Sequence, residues 1–196
     1  MFGFAAAIFF LIITPGPGVL SLAGVGAAFG KRAGLAYLLG LMAGTNLVAL
    51  AVVTGVAAIA FSVPGLRTVL LFASAAYLLY LAAKIALSGA RVAFIEAQRP
   101  PGFVGGLMLQ FINPKAYAVN TTLFTGFAFW PGSLATELAI KFAIMNAIWL
   151  ALHLLWLWAG ISLRRLNLPP HVQRRINMAM AAAMLAVVAL AALAPR

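Results

Sequence analysis

The sequence predicts an all-α integral membrane protein: six transmembrane helices in two inverted three-helix halves, with helices 1 and 4 discontinuous. Three observations predict it. The chain of 196 residues is 65% hydrophobic and only 8% charged, where a soluble domain carries about 25% charge. Six apolar segments each reach the ~20 residues that a helix rising ~1.5 Å per residue needs to cross a bilayer. Two of them, the first and the fourth, are interrupted at matching places, by Thr14-Pro15-Gly16-Pro17-Gly18 and by Asn113-Pro114-Lys115.

The first segment is Phe2–Ala28. No Lys or Arg precedes Lys31, so it lacks the positive n-region of a signal peptide and reads as a span of the mature protein. Its interruption must open the helix, because proline removes a backbone N–H and clashes with the preceding turn. Opened backbone survives inside lipid only where protein or a water-filled cavity satisfies it. Pro15 and Pro17 leave carbonyls unpaired, while Gly16 and Gly18 let a ligand or another helix approach the backbone closely. A helix restarting after Pro17 points N–H groups inward, a ready site for a carboxylate, and the same holds after Pro114.

The second segment, Leu35–Phe61, carries Thr45 and Asn46, and the third is Thr68–Leu87. A linker, 89–101, then joins halves of about 1–88 and 102–196 within a single transmembrane domain, 1–196. Three spans per half invert the second half relative to the first, and paired breaks at corresponding positions are the sequence mark of a binding site between inverted repeats.

The fourth segment is Gly102–Phe129. Lys115 lies about 20 Å from either end, beyond the reach of a snorkelling side chain. Intramembrane ionisable residues are costly and are functional candidates by default. The structural alternative is a lysine capping carbonyls opened at Asn113-Pro114, and both roles are compatible. Gln110, Asn113, Tyr117 and Asn120 form one stripe on this helix, and Asn146, Trp149, His153 and Trp156 form another on the fifth segment, Leu134–Ser162. Such stripes face the bundle interior, as interhelical glue or as cavity lining. His153, the one histidine within a span, reads as a packing residue or as a proton handler. The sixth segment is Ile176–Ala194.

The hydrophilic gaps fix a topology. Lys31 and Arg32, then Arg91 and Arg99, then Arg164, Arg165, Arg174 and Arg175 fall in the odd gaps, while the even gaps hold Arg67 alone. The positive-inside rule makes the odd gaps cytoplasmic and turns both termini outward. Because the basic residues sit in these gaps, the net charge of +11 signals orientation and contact with anionic headgroups rather than nucleic-acid binding. Gly26, Gly30 and Gly34, then Gly40 and Gly44, allow close helix contact, within the chain or in a homodimer. The chain has no cysteine and two histidines, too few for a metal cluster. No nucleotide-binding loop and no nucleophile–base–carboxylate set is present, so neither cofactor nor enzyme chemistry is implied.

These motifs resemble those of the lysine-exporter (LysE/RhtB-type) family of amino-acid efflux translocators, over nearly the whole chain. Thr14-Pro15-Gly16-Pro17 is similar to the first-helix signature, and Gly30-Lys31-Arg32-Ala33-Gly34-Leu35 to the first cytoplasmic loop. Ala76-Tyr77-Leu78-Leu79-Tyr80-Leu81 with Lys84 resembles the end of the third helix, and Phe103…Gly106 followed by Asn113-Pro114-Lys115-Ala116 the fourth-helix signature. The resemblance implies a small exporter of amino acids or related metabolites in the bacterial inner membrane, driven by the proton gradient. One departure is Gly18, where the family usually has Asn or Asp. Without a carboxylate near any span centre, coupling falls to Lys115, His153, a tyrosine or water, or the protein is a facilitator.

The expected site gathers Thr14, Pro15, Gly16, Pro17, Gly18, Asn46, Asn113, Pro114 and Lys115 around a small-molecule substrate at the midplane, lined further by Gln110, Tyr117, Asn120, Asn146 and His153. Half-helix N-termini and Lys115 hold a carboxylate; opened carbonyls with Asn46 and Asn113 hold an ammonium group. A non-transporting membrane subunit, a membrane enzyme and a metal-ion exporter are the competing readings.

Overall fold

The computed structural model describes residues 1–13, 16–55 and 100–166, with scattered positions between 57 and 83 and between 169 and 182. Among the described residues the elements with defined bounds are all helices: α1 (Phe2–Ile13), α2 (Pro17–Phe29), α3 (Lys31–Val53), α4 (Gly102–Ile112), α5 (Pro114–Gly126) and α6 (Leu134–Arg165). Helices α3 and α6 are each long and apolar enough to cross a membrane, and α1 with α2, bent by 54° at the break, adds a third if the pair is taken as one span. The predicted third and sixth spans and the linker 89–101 fall largely outside the described residues, as do Thr14, Pro15 and Lys84.

The sequence reading allowed a gap from Phe29 to Gly34; the structure uses Gly30 alone. Gly30 takes φ 81°, a left-handed value that only glycine adopts cheaply. Its N–H donates to the Gly26 carbonyl at 3.0 Å, and its own carbonyl accepts from the Gly34 N–H at 3.0 Å, so one residue both closes α2 and opens α3. Lys31 and Arg32 therefore stand exposed on the first turn of α3. Helix α3 stops at Val53, short of the predicted Phe61, where the Thr54 hydroxyl donates to the Leu50 carbonyl at 2.8 Å and Gly55 takes φ 78°.

Helix α2 is the enclosed element: every residue from Pro17 to Ala27 is buried. Around it, α3 packs on α4 and α5, and α6 packs on α2 and α1. Two crossings bring backbones into contact. A β-carbon at Gly40 would collide with the Phe103 carbonyl, one at Gly106 with the Tyr37 carbonyl, and one at Gly160 with the Ala23 carbonyl. The small residues thus serve packing within the chain, which is how membrane helices without a hydrophobic drive between them gain contact. Leu39, Leu47 and Leu50 on α3 and Leu154, Leu155 and Trp158 on α6 are exposed, which suits faces turned to lipid.

The turn between α5 and α6 is held by a buried ion pair. Glu137 Oε2 accepts from the backbone N–H of Phe129 at 2.9 Å and of Trp130 at 2.6 Å. Its Oε1 meets Lys141 Nζ at 2.8 Å, and Lys141 also donates to the carbonyls of Phe124 and Phe127. Phe4 of α1 lies against Phe127 and Phe129, so the cluster ties the end of α5, the start of α6 and α1 together. Lys141 follows Glu137 by four residues, the spacing at which opposite charges on a helix pair.

Candidate functional site

The second break is built by Asn113 and Pro114. Helix α4 ends at Ile112, Asn113 takes extended backbone (φ −83°, ψ 104°), and its side chain caps α5 by accepting from the Lys115 N–H at 3.1 Å. Pro114 fills the first helical position, where its missing N–H costs nothing. The Tyr117 hydroxyl donates to the Phe111 carbonyl at 2.9 Å, satisfying a group that the break exposes. Asn113 Nδ2 donates to Gln110 Oε1 at 3.0 Å, and Gln110 Nε2 donates to the Thr45 hydroxyl. A buried polar chain therefore links α3 to the start of α5.

The first break is different. Gly16 is extended (φ −147°, ψ 179°), no side chain caps α2, and Pro17 occupies its first turn. Further along α2, the Ser21 hydroxyl donates to the Gly18 carbonyl at 2.9 Å and accepts from the Tyr37 hydroxyl at 3.1 Å.

Lys115 joins the two breaks. A methyl group built on Gly16 would stand 2.9 Å from Lys115 Cδ and 3.1 Å from its Nζ. The lysine side chain thus lies against bare backbone at the restart of α2, a contact that a larger residue at 16 would displace.

His153 approaches from α6. Its Nδ1 lies 2.8 Å from the Trp149 carbonyl and its ring stacks on the Trp149 indole, 3.5 Å apart and 15° from parallel. A carbonyl can only accept, so Nδ1 carries the hydrogen and Nε2 of the neutral ring is the acceptor. A β-carbon at Gly18 would stand 3.8 Å from both His153 Nε2 and Gln110 Oε1. Asn120 of α5 donates from Nδ2 to the Ala116 carbonyl at 2.8 Å, while its Oδ1 is buried without a hydrogen-bond partner among the described residues.

These groups enclose a cavity of about 60 Å³, several times the ~10–15 Å³ that one water requires. Gly16, Gly18, Thr45, Gln110, Asn113, Lys115, Asn120 and His153 supply its polar wall, and Leu11, Ile12, Val19, Val119, Leu123, Met145 and Trp149 are among its apolar lining. A small ligand with an anionic end matches the lysine and the uncapped N-terminus of α2.

Of the residues expected from sequence, Gly16, Gly18, Gln110, Asn113, Lys115, Asn120 and His153 meet at this cavity. Pro17 and Pro114 shape the two restarts, and Tyr117 braces the second break rather than facing the cavity. Asn46 and Asn146 stand apart from it: Asn46 Nδ2 donates to Asn146 Oδ1 at 2.8 Å, and Asn146 Nδ2 returns the bond to Asn46 Oδ1 at 2.9 Å. Each also donates to its own helix, to the Met42 and Phe142 carbonyls, both at 2.9 Å. With both amides committed, neither is placed to hold a ligand's ammonium group. Nor do both restarts offer bare N–H groups, since Asn113 already caps α5. The apolar wall, with Leu11, Ile12 and Met145, carried no sequence signal that separates it from lipid-facing or core residues. Thr14 and Pro15 lie outside the described residues. Among the described residues, no group of His, Cys, Asp or Glu is arranged to hold a metal ion.

The family model for LysE type translocators matches residues 9–195 of the chain. No curated protein and no solved structure matches it.

Proposed function

As the chain belongs to the LysE type translocator family, we propose that it is a secondary active exporter of amino acids or related small metabolites across the bacterial inner membrane. The observation that carries this reading is the meeting of the two helix breaks in one cavity, with Lys115 of the second laid against Gly16 of the first. The ligand's carboxylate sits between Lys115 and the N–H groups at the start of α2, and the cavity opens alternately to the two sides of the membrane. The lysine adds a full charge where opened backbone provides only partial charges.

Inverted halves of about 1–88 and 102–196, in one domain of six spans, are supported by two features. Each long helix packs on both segments of the broken helix from the other half, α3 on α4 and α5 and α6 on α1 and α2. Asn46 and Asn146 exchange equivalent hydrogen bonds across the same pair of long helices. In this arrangement both termini face outward, the basic gaps lie on the cytoplasmic side against anionic headgroups, and any homodimer forms through faces other than the glycine crossings. Export runs on the proton gradient. No carboxylate is among the cavity's lining residues, so Lys115, His153 or bound water takes the coupling role.

Counterflow in proteoliposomes tests the reading. Vesicles loaded with individual amino acids should accumulate the labelled counterpart for at least one of them, and Lys115→Ala should abolish this while still eluting as folded protein. Unchanged exchange in the variant would remove the carboxylate role from Lys115, and no exchange by folded wild type for any amino acid would overturn the substrate class.

A further inference from the structure

We propose that Asn120 is the residue that recognises the ligand's ammonium group, and so makes the site select amines over equally anionic ligands that lack one. The inference rests on the carboxylate placement proposed above and assigns the opposite pole of the ligand.

Asn120 is 2% exposed and lines the cavity shared with Lys115. Its amide has one orientation. Nδ2 donates to the Ala116 carbonyl at 2.8 Å; turning the amide over would set two acceptors against each other, since a carbonyl has no hydrogen to give. Oδ1 is therefore fixed, and it has no partner among the described residues. A buried acceptor left unpaired is destabilising, and native structures keep few of them. Asn120 lines the cavity, so we assign the missing donor to whatever fills it.

The other amides cannot take this role. Asn46 is engaged with Asn146, Asn113 Oδ1 caps α5, and Gln110 Oε1 already accepts from Asn113. Lys115 repels a cation. His153 Nε2 is an acceptor on another wall of the cavity, close to Gly18, and can receive a second ammonium hydrogen. A primary ammonium carries three donors, and an α-amino acid sets it next to the carboxylate, as a cavity of this size requires. An α-keto acid keeps the carboxylate and side chain but has no donor for Oδ1. The site rejects it because the amide stays unpaired.

The test uses the full-length protein in proteoliposomes, and an amino acid that the wild type exchanges. Exchange of the labelled amino acid is competed with the unlabelled amino acid and with its α-keto analogue. The wild type should prefer the amino acid by about ten- to a hundredfold, the range of one unpaired buried acceptor. Asn120→Leu, of similar shape and without an acceptor, should bring the two competitors to near equality. Thermal shift of the purified variants with the same two ligands gives a second readout that does not depend on transport rates. A folded Asn120→Leu protein with wild-type preference overturns the proposal. Water as the sole partner of Oδ1 would appear as a wild type without preference, which also overturns it. A wild type that exchanges no amino acid at all refutes the underlying function instead.

Discussion

Gly16→Ala isolates the contact on which the site depends. The backbone at Gly16 (φ −147°, ψ 179°) is open to any residue, and alanine there stiffens the unfolded chain, an effect of about 0.4–1 kcal/mol in favour of folding. The added methyl would stand 2.9 Å from Lys115 Cδ and 3.1 Å from Nζ, inside the ~3.5–4.0 Å of ordinary contact. A lysine chain is flexible, so it yields by roughly 0.5–1 Å rather than forcing the helices apart. Charge-assisted hydrogen bonds sit within about 2.7–2.9 Å, and a retreat of that size forfeits most of a bond worth about 1.5–3 kcal/mol. The apparent affinity should then fall roughly ten- to a hundredfold while the melting temperature holds or rises slightly. The assay is the concentration dependence of counterflow for wild type, Gly16→Ala, Lys115→Met and the double variant. If the methyl acts through the lysine, the double variant is no worse than Lys115→Met. Additive losses, or wild-type affinity in Gly16→Ala, would refute the reasoning; so would unfolding of the single variant, since Lys115 would then have had nowhere to go.

Three further outcomes follow from the packing. Gly40→Ala sets a methyl against the Phe103 carbonyl, which cannot yield like a side chain, and should cost about 1–3 kcal/mol, read from thermal unfolding in detergent. Glu137→Gln leaves Lys141 without its carboxylate partner and should lower the melting temperature, whereas Glu137→Leu with Lys141→Met should lower it less. In a double-mutant cycle of Asn46→Ala and Asn146→Ala, the coupling should be about 0.6 kcal/mol and no more than about 1.7, the average and the maximum found for interhelical hydrogen bonds in lipid; a coupling of zero would mean that the pair is not formed in the membrane.

The sequence made the breaks legible because proline and glycine act on their own backbone, whatever surrounds them. It also pointed to Lys115, since a cation that cannot snorkel out of a span must be met by something. What it could not show was which polar residues would find each other first. Asn46 and Asn120 look alike as letters on a helix, yet one is saturated by Asn146, 100 positions away in the chain, and the other is left with an open acceptor. Helix ends were least legible where a single backbone angle decided them: nothing in Phe29–Gly34 announces that Gly30 alone would carry the reversal. The Glu137–Lys141 pair was visible in its spacing, but its burial came from the turn that folds over it.

The two breaks match in place but not in charge: glycine stands at one and the lysine at the other, so a single cation serves both. A molecule held there meets a full positive charge from Lys115 alone, with only the partial charges of the uncapped α2 N-terminus beside it. Turning it end for end would bring its own positive pole against the lysine, so a dipolar occupant has one pose and not two.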